Sequence, residues 1–320
     1  KPIMSKLAGF DKFIIPVPVP SAVSSAVEQD LDKICTAIAE DAKKLEGKTL
    51  LVTGGSGFIG SYIVAVIDKL NLEYLKIPCR VISMDNHLVG KKNNLIKEII
   101  SEHIEFVTHD VCVPFNHDGK VDYIISAAGV ASPVYYKKFP IETIEGTIYG
   151  VKNALELARH KKAKSFLYFS SSEIYGDPDP KFVPTPESYK GNVSSIGDRS
   201  CYDESKRLGE SLCMAHYKVH GTPIKIVRPF NVFGPGMSGK DYRVVPTFIS
   251  QGNMGKDLTV HDKGSQTRTF CYVTDAIIGF FKVLLSEKNG EVYNVGNDND
   301  EIYMKALADM IATDVFNNEI

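Results

Sequence analysis

A chain of 320 residues with 43% hydrophobic content can bury a full core, in one large or two modest domains. Its 37 basic and 39 acidic residues leave a net charge of -2, which offers no field for nucleic acid or an acidic membrane and suits a small charged metabolite. No apolar run approaches a membrane span, no secretory signal pattern is evident, and six cysteines lie scattered without Cys-x-x-Cys spacing. The default compartment is therefore the cytoplasm, with Cys35, Cys79, Cys112, Cys201, Cys213 and Cys271 as free thiols.

Ile14 to Pro20 alternates prolines, which forbids helix and favours an extended arm. From Ser21 to Glu46, Val27, Leu31, Ile34, Ile38, Ala42 and Leu45 recur at helical spacing, the pattern of an amphipathic helix that packs on the core or on a partner subunit. Beyond Lys48, short apolar runs alternate with longer helical patterns; Thr49 to Thr53, Arg80 to Met84, Ile104 to Val107, Val121 to Ser126 and Ser165 to Ser170 read as strands. That alternation predicts an α/β fold, a doubly wound parallel sheet of the Rossmann type. After Gly221, prolines and glycines break the rhythm, as expected for a smaller C-terminal substrate-binding lobe. A strand at Glu291 to Val295 and a helix at Tyr303 to Ile311 follow, and the chain then stops abruptly enough to suggest missing residues. The expected division is 1–47 for arm and helix, 48–222 for the nucleotide-binding domain, and 223–320 mainly for the lobe, with some elements returning to the sheet.

The first strand runs into Gly54, Gly57 and Gly60, and a helical pattern follows from Ser61. Glycines allow the tight bend and let backbone amides approach a pyrophosphate at the positive end of a helix. Asp85 closes the second strand, where a carboxylate accepts hydrogen bonds from ribose hydroxyls and repels a 2′-phosphate, so NAD is favoured over NADP. Lys91 and Lys92 nearby keep NADP open, and a plainer role for Asp85 is to cap the turn at Asn86. Phe58 and Ile59 in the turn, Asn86, and Asp110 with Val111 complete the expected cofactor contacts.

Farther on, Tyr202 and Lys206 lie four residues apart in Tyr202-Asp203-Glu204-Ser205-Lys206, neighbours on one helix face. An adjacent ammonium favours the phenolate, bringing Tyr202 toward use as a general base for a sugar or alcohol hydroxyl. Alone, the pair more often marks a solvated helix face. Its context is a strand that ends in Ser170-Ser171-Ser172-Glu173, at the carboxyl edge where open parallel sheets bind ligands.

In this order, the glycine turn, the serine-rich strand end and the tyrosine-lysine pair resemble the extended short-chain dehydrogenase/reductase family. Further stretches are similar to its UDP-glucuronate decarboxylase branch: Ser170 to Pro178, Cys201 to Arg207, Arg228 to Pro235, and Gly264 to Arg268, with the likeness running from Lys48 to Ser286. The resemblance implies catalytic roles for Ser171, Glu173, Tyr202 and Lys206, which with the cofactor would oxidise C4 reversibly and release carbon dioxide from a 4-keto sugar. It implies NAD retained through the cycle, with Tyr202 and Lys206 also touching it, and a nucleotide sugar, favouring UDP, held by Ser172, Asn231, Arg243 and Arg268. Without that resemblance, a surface ion pair would be as good a reading of each arginine. A homodimer formed through two helices per subunit, that of Tyr202 among them, is also implied.

A sugar 4-epimerase is the nearest alternative, disfavoured by the acid at Glu173. A 4,6-dehydratase would need an acid where Ser172 stands. A non-catalytic NAD-binding sensor or scaffold would have no use for Tyr202, Lys206 and Glu173. Gly236 and His261-Asp262 depart from the decarboxylase pattern near the expected substrate. His216 and His220 share a helix face, but no acid or third histidine is near them in sequence, so no metal is expected.

Overall fold

The computed structural model describes residues 21–88, 94–97, 99–239 and 241–316. The expected proline arm, Lys91 and Lys92 lie outside them. The first elements are α1 (Ser21–Ala42), β1 (Thr49–Thr53), α2 (Phe58–Glu73), β2 (Arg80–Asp85), α3 (Asn94–Lys97), β3 (Ile104–Thr108) and β4 (Tyr123–Ser126). Next come α4 (Pro133–Lys138), α5 (Pro140–Lys161), β5 (Ser165–Phe169), α6 (Ser200–His220) and β6 (Ile224–Pro229). The last part holds β7 (Val232–Phe233), α7 (Val244–Asn253), β8 (Thr267–Arg268), β9 (Cys271–Tyr272), α8 (Val273–Leu284), β10 (Glu291–Val295), β11 (Ile302–Tyr303) and α9 (Met304–Met310).

Seven strands form one parallel sheet in the order β10-β6-β5-β4-β1-β2-β3. The chain builds outward from β1 through β2 to β3, then crosses to β4 and builds the other way, so the β1–β4 boundary is the switch point where such sheets bind ligands. Side-chain burial follows that plan. All of β4 and β5 is buried, whereas the edge strands β3 and β10 alternate or stay half-exposed. Strand β4 begins two residues later than expected, at Tyr123, because Asp122 instead accepts from the Thr49 amide at 3.1 Å and ties the entrance of β1.

Helix α1 packs against α8 and α2 of its own chain. Leu31, Ile34, Ile38 and Ala42, with Leu45 beyond the helix, enter the main core as their spacing predicted. Burying each large aliphatic side chain stabilises the fold by about 2 kcal/mol, which fixes the helix. After α6 the chain supplies β6 and β10 to the sheet and α8 to its face. Phe248, Leu307, Ala308 and Ile311 form a separate, smaller core between α7 and the C-terminal helical turns.

Candidate active site

The glycine turn after β1 is shaped by lack of room. Gly54 takes φ +75°, and a Cβ there would stand 2.9 Å from the Ala128 backbone. A Cβ on Gly60 would lie 2.1 Å from the Gly54 carbonyl oxygen, so the first turn of α2 rests directly on the bend. Gly57 caps α2 without a side-chain hydrogen bond, leaving the helix N-terminus to a ligand. At the end of β2, Asp85 accepts from the Ser56 amide at 3.0 Å and the His87 amide at 2.8 Å, joining the turn to the next strand. An uncapped helix end, a bend without side chains and an acid on the adjacent strand fit a dinucleotide.

The remaining expected cofactor residues divide. Ile59 lines the central cavity, while Phe58 packs edge-on against Tyr62 with ring centres 5.8 Å apart. Asn86 accepts from the Leu88 amide at 3.0 Å, and Asp110 from the Cys112 amide at 3.0 Å. Val111 turns its side chain to Gly150, and its carbonyl accepts from Asn153 at 2.8 Å.

A cavity of 530 Å³ opens at the carboxyl edge of the sheet, and Ser171, Glu173, Tyr202 and Lys206 all line it. Extended backbone at Ser171 lets its Oγ accept from the Glu173 amide at 3.2 Å, which starts a short 3₁₀ turn over Ser172–Tyr175. The same serine is near enough to the Tyr202 phenol to draw its pKa down. Lys206 reaches from one turn later on α6, donates to the Phe169 carbonyl at 2.7 Å and lies 5.8 Å from the centre of the Tyr202 ring.

Burial acts against the expected electrostatics of this pair. It pushes the Tyr202 phenol up to about 12, opposed by Ser171 and Arg243 and aided by the Glu173 charge. The same burial brings the Lys206 ammonium down to about 8. The expectation that Lys206 draws the phenol toward working pH is therefore corrected: the net shift is upward, because desolvation is the largest influence on Tyr202.

Ser172, Asn231, Arg243 and Arg268 also line the cavity. Each of the last three already has an internal partner: Asn231 donates to Thr269 at 2.9 Å, Arg243 to Asp241 at 2.7 Å, and the exposed Arg268 to the Thr267 carbonyl at 2.7 Å. Asn231 holds its position with φ +40°.

Two residues of the site had no expectation attached. Tyr136 stacks on Tyr202 with ring centres 5.3 Å apart and planes 14° from parallel, and its buried hydroxyl has no partner among the described residues. Arg199 pairs with Glu173 and lies 3.5 Å from Asp203. Its place just ahead of Tyr202 was its one signal; Tyr136 had none. Away from the site, α5 brings Glu156 within 3.5 Å of His216, an acid that sequence distance concealed. Among the described residues, no group of three His, Cys, Asp or Glu is arranged to hold a metal.

The model of the NAD dependent epimerase/dehydratase family matches residues 50–296. The chain is 44% identical over 262 residues to UDP-glucuronic acid decarboxylase 5 of Arabidopsis thaliana, covering 82% of this chain and 73% of that one. Among solved structures, the epimerase Mth375 of Methanothermobacter thermautotrophicus superposes with a TM-score of 0.75 at 26% identity, over 89% of this chain and 81% of that one. The dTDP-glucose 4,6-dehydratase DesIV of Streptomyces venezuelae, crystallised with NAD and TYD, gives 0.71 at 22% identity over 83% and 81%, a likeness of fold. Sequence match, sheet order and glycine turn agree: the chain belongs to the NAD-dependent epimerase/dehydratase family.

Proposed function

We propose that this protein decarboxylates UDP-glucuronate, or a related nucleotide hexuronate, through a 4-keto sugar. The observation that carries this reading is the gathering of Glu173 with Ser171, Tyr202 and Lys206 around one cavity, in a chain 44% identical to a protein named UDP-glucuronic acid decarboxylase. Gly54, Gly57, Gly60 and Asp85 would hold the NAD. When bound, NAD would supply a reversible hydride acceptor for C4 of the sugar and would not be consumed.

The side chains divide the remaining work. Tyr202, once deprotonated, accepts the C4 hydroxyl proton, with Ser171 beside it in the same cavity wall. Oxidation at C4 leaves the C6 carboxylate β to a carbonyl, from which carbon dioxide departs with the bonding electrons left on C5 and the C4 oxygen. Ser171 and protonated Tyr202 donate to that oxygen and stabilise the enolate. C5 then takes one proton, and Tyr202 returns its own when the C4 hydroxyl is restored. Arg243 and Arg268 suit the diphosphate through their planar forks, and Ser172 and Asn231 complete the contacts.

The finer surroundings belong to the same reading. A homodimer is supported by Ile141, Ile144 and Tyr149 on α5 and Leu208 on α6, all exposed apolar side chains. A cytoplasmic setting agrees with six cysteines in the free thiol state.

The direct test is incubation of the purified protein with UDP-glucuronate and NAD, following product by mass and proton NMR. Loss of the mass of carbon dioxide is expected. An unchanged mass with an inverted C4 signal would mean epimerisation and would overturn the proposal.

A further inference from the structure

Glu173 raises an electrostatic difficulty that a site for neutral sugars would not have. A hexuronate brings its own carboxylate, and like charges a few ångströms apart in a partly enclosed cavity repel strongly enough to weaken binding roughly tenfold or more. Some group has to offset the Glu173 charge before such a substrate enters. Arg199 is built to do so. It is the N-cap residue of α6, just ahead of Tyr202, and its guanidinium pairs with Glu173 through Nη2 while Nε faces Asp203 at 3.5 Å.

Asp203 anchors the arrangement from behind. It is 6% exposed, and its Oδ1 has no hydrogen-bond partner among the described residues, so its carboxyl depends on Arg199 for compensation. Burial pushes Asp203 up to about 6 while Arg199 opposes that rise, which is how one cation shared between two acids behaves. The guanidinium is thus held by a buried acid on its own helix and presents its other edge to Glu173. Tyr136, stacked on Tyr202, also senses the charges of Arg199 and Glu173.

We propose that Arg199 is a positioning residue that neutralises Glu173 and fixes its carboxylate, so that a cavity built around an acid admits an anionic hexuronate. It acts through Glu173 and not by touching the sugar. The inference rests on the reading of Glu173 given under Proposed function.

A double-mutant cycle on the NAD-loaded protein tests it, with calorimetric affinities for UDP-glucuronate and for uncharged UDP-glucose. Arg199→Gln is expected to weaken UDP-glucuronate about tenfold while leaving UDP-glucose nearly unchanged. Adding Glu173→Gln should restore the lost affinity, and Arg199→Lys, which keeps the charge but loses the fork, should retain part of it. An equal loss for both sugars would overturn the proposal, since the effect would then lie in the fold or the nucleotide. So would a loss that persists in the double variant, because Arg199 would then bind substrate directly. Turnover is measured separately: wild-type protein that binds UDP-glucuronate without releasing carbon dioxide refutes the decarboxylase reading, while the cycle still decides the coupling.

Discussion

At the β1–α2 turn, backbone does the work: Gly54 and Gly60 approach so closely that neither has room for a Cβ, and the uncapped end of α2 faces outward. Across the cavity, the wall that would face the sugar is made from side chains of distant segments, each held by a partner. Glu173 pairs with Arg199 from 26 positions away, Arg243 with Asp241, and Tyr202 stacks on Tyr136. A backbone-built wall is sensitive to volume and nearly indifferent to charge. The opposite wall is sensitive to charge and to single polar atoms, and that contrast orders the expected effects.

The largest lies on the polar-atom side. Tyr202→Phe removes one oxygen and leaves the stack on Tyr136, so kcat should fall by about a thousandfold, within the usual range for a lost general base. NAD affinity, followed by cofactor fluorescence, should not change. Full activity in this variant would end the assignment of Tyr202. On the backbone wall, Gly60→Ala places a methyl 2.1 Å from the Gly54 carbonyl, and the bend must shift. The expected penalty is about 2 kcal/mol, read as roughly a thirtyfold loss of NAD affinity. Gly57→Ala is the control for the bend itself: among the described residues its Cβ would meet only the Gly54 oxygen, at 3.3 Å, so folding stability should survive. Equal loss of folding stability from both would mean that glycine flexibility, and not space, sets the turn.

The same contrast explains what could be read from sequence. Strand β1 and the glycine turn announce themselves because backbone constraints leave a local spacing. Strand β6 had no bounds in sequence, since Lys225 and Arg228 interrupt its apolar run; both are buried, at 1% and 7% exposure. They are tolerated because Lys225 donates to Ser165 and Asn289 at 2.8 Å, and Arg228 forks onto Glu210. None of those partners is close to them in sequence. Arg199 went unread for the same reason, an ion pair across 26 residues having no spacing signature. The helix face of α1 was legible, but its partner was not: periodicity says that a face is buried and does not say against what.

A smaller effect is expected at the cavity rim. Arg268 is exposed and, among the described residues, bonded to the Thr267 carbonyl of its own neighbour, so it can turn to a phosphate at little cost. Arg268→Ala should raise KM about tenfold with kcat nearly constant, the pattern of uniform binding. Steady-state kinetics decide it, and a fall in kcat with KM unchanged would move Arg268 from holding substrate to the chemical step.

The smallest effect is on stability, and it comes from Lys206, where the two walls meet. Burial brings its ammonium down to about 8 from the usual 10.5. Below pH 8 the lysine is charged in both folded and unfolded chains, and the folded state bears the full desolvation cost. Between 8 and 10.5 the unfolded chain still holds a proton that the folded one has released, so stability rises with pH, and above 10.5 the cost is gone. Lys206→Met should therefore be inactive yet more stable than wild type by about 1 kcal/mol at pH 7, after allowing for the lost bond to the Phe169 carbonyl. That advantage should shrink as pH approaches 10.5. Urea denaturation of both proteins at pH 7 and pH 10 reads the difference, and the ionisation of Tyr202 in the unfolded chain, being common to both, largely cancels. A variant less stable than wild type at pH 7 would mean that the Phe169 hydrogen bond outweighs the buried charge, and that Lys206 stabilises the fold as well as the reaction.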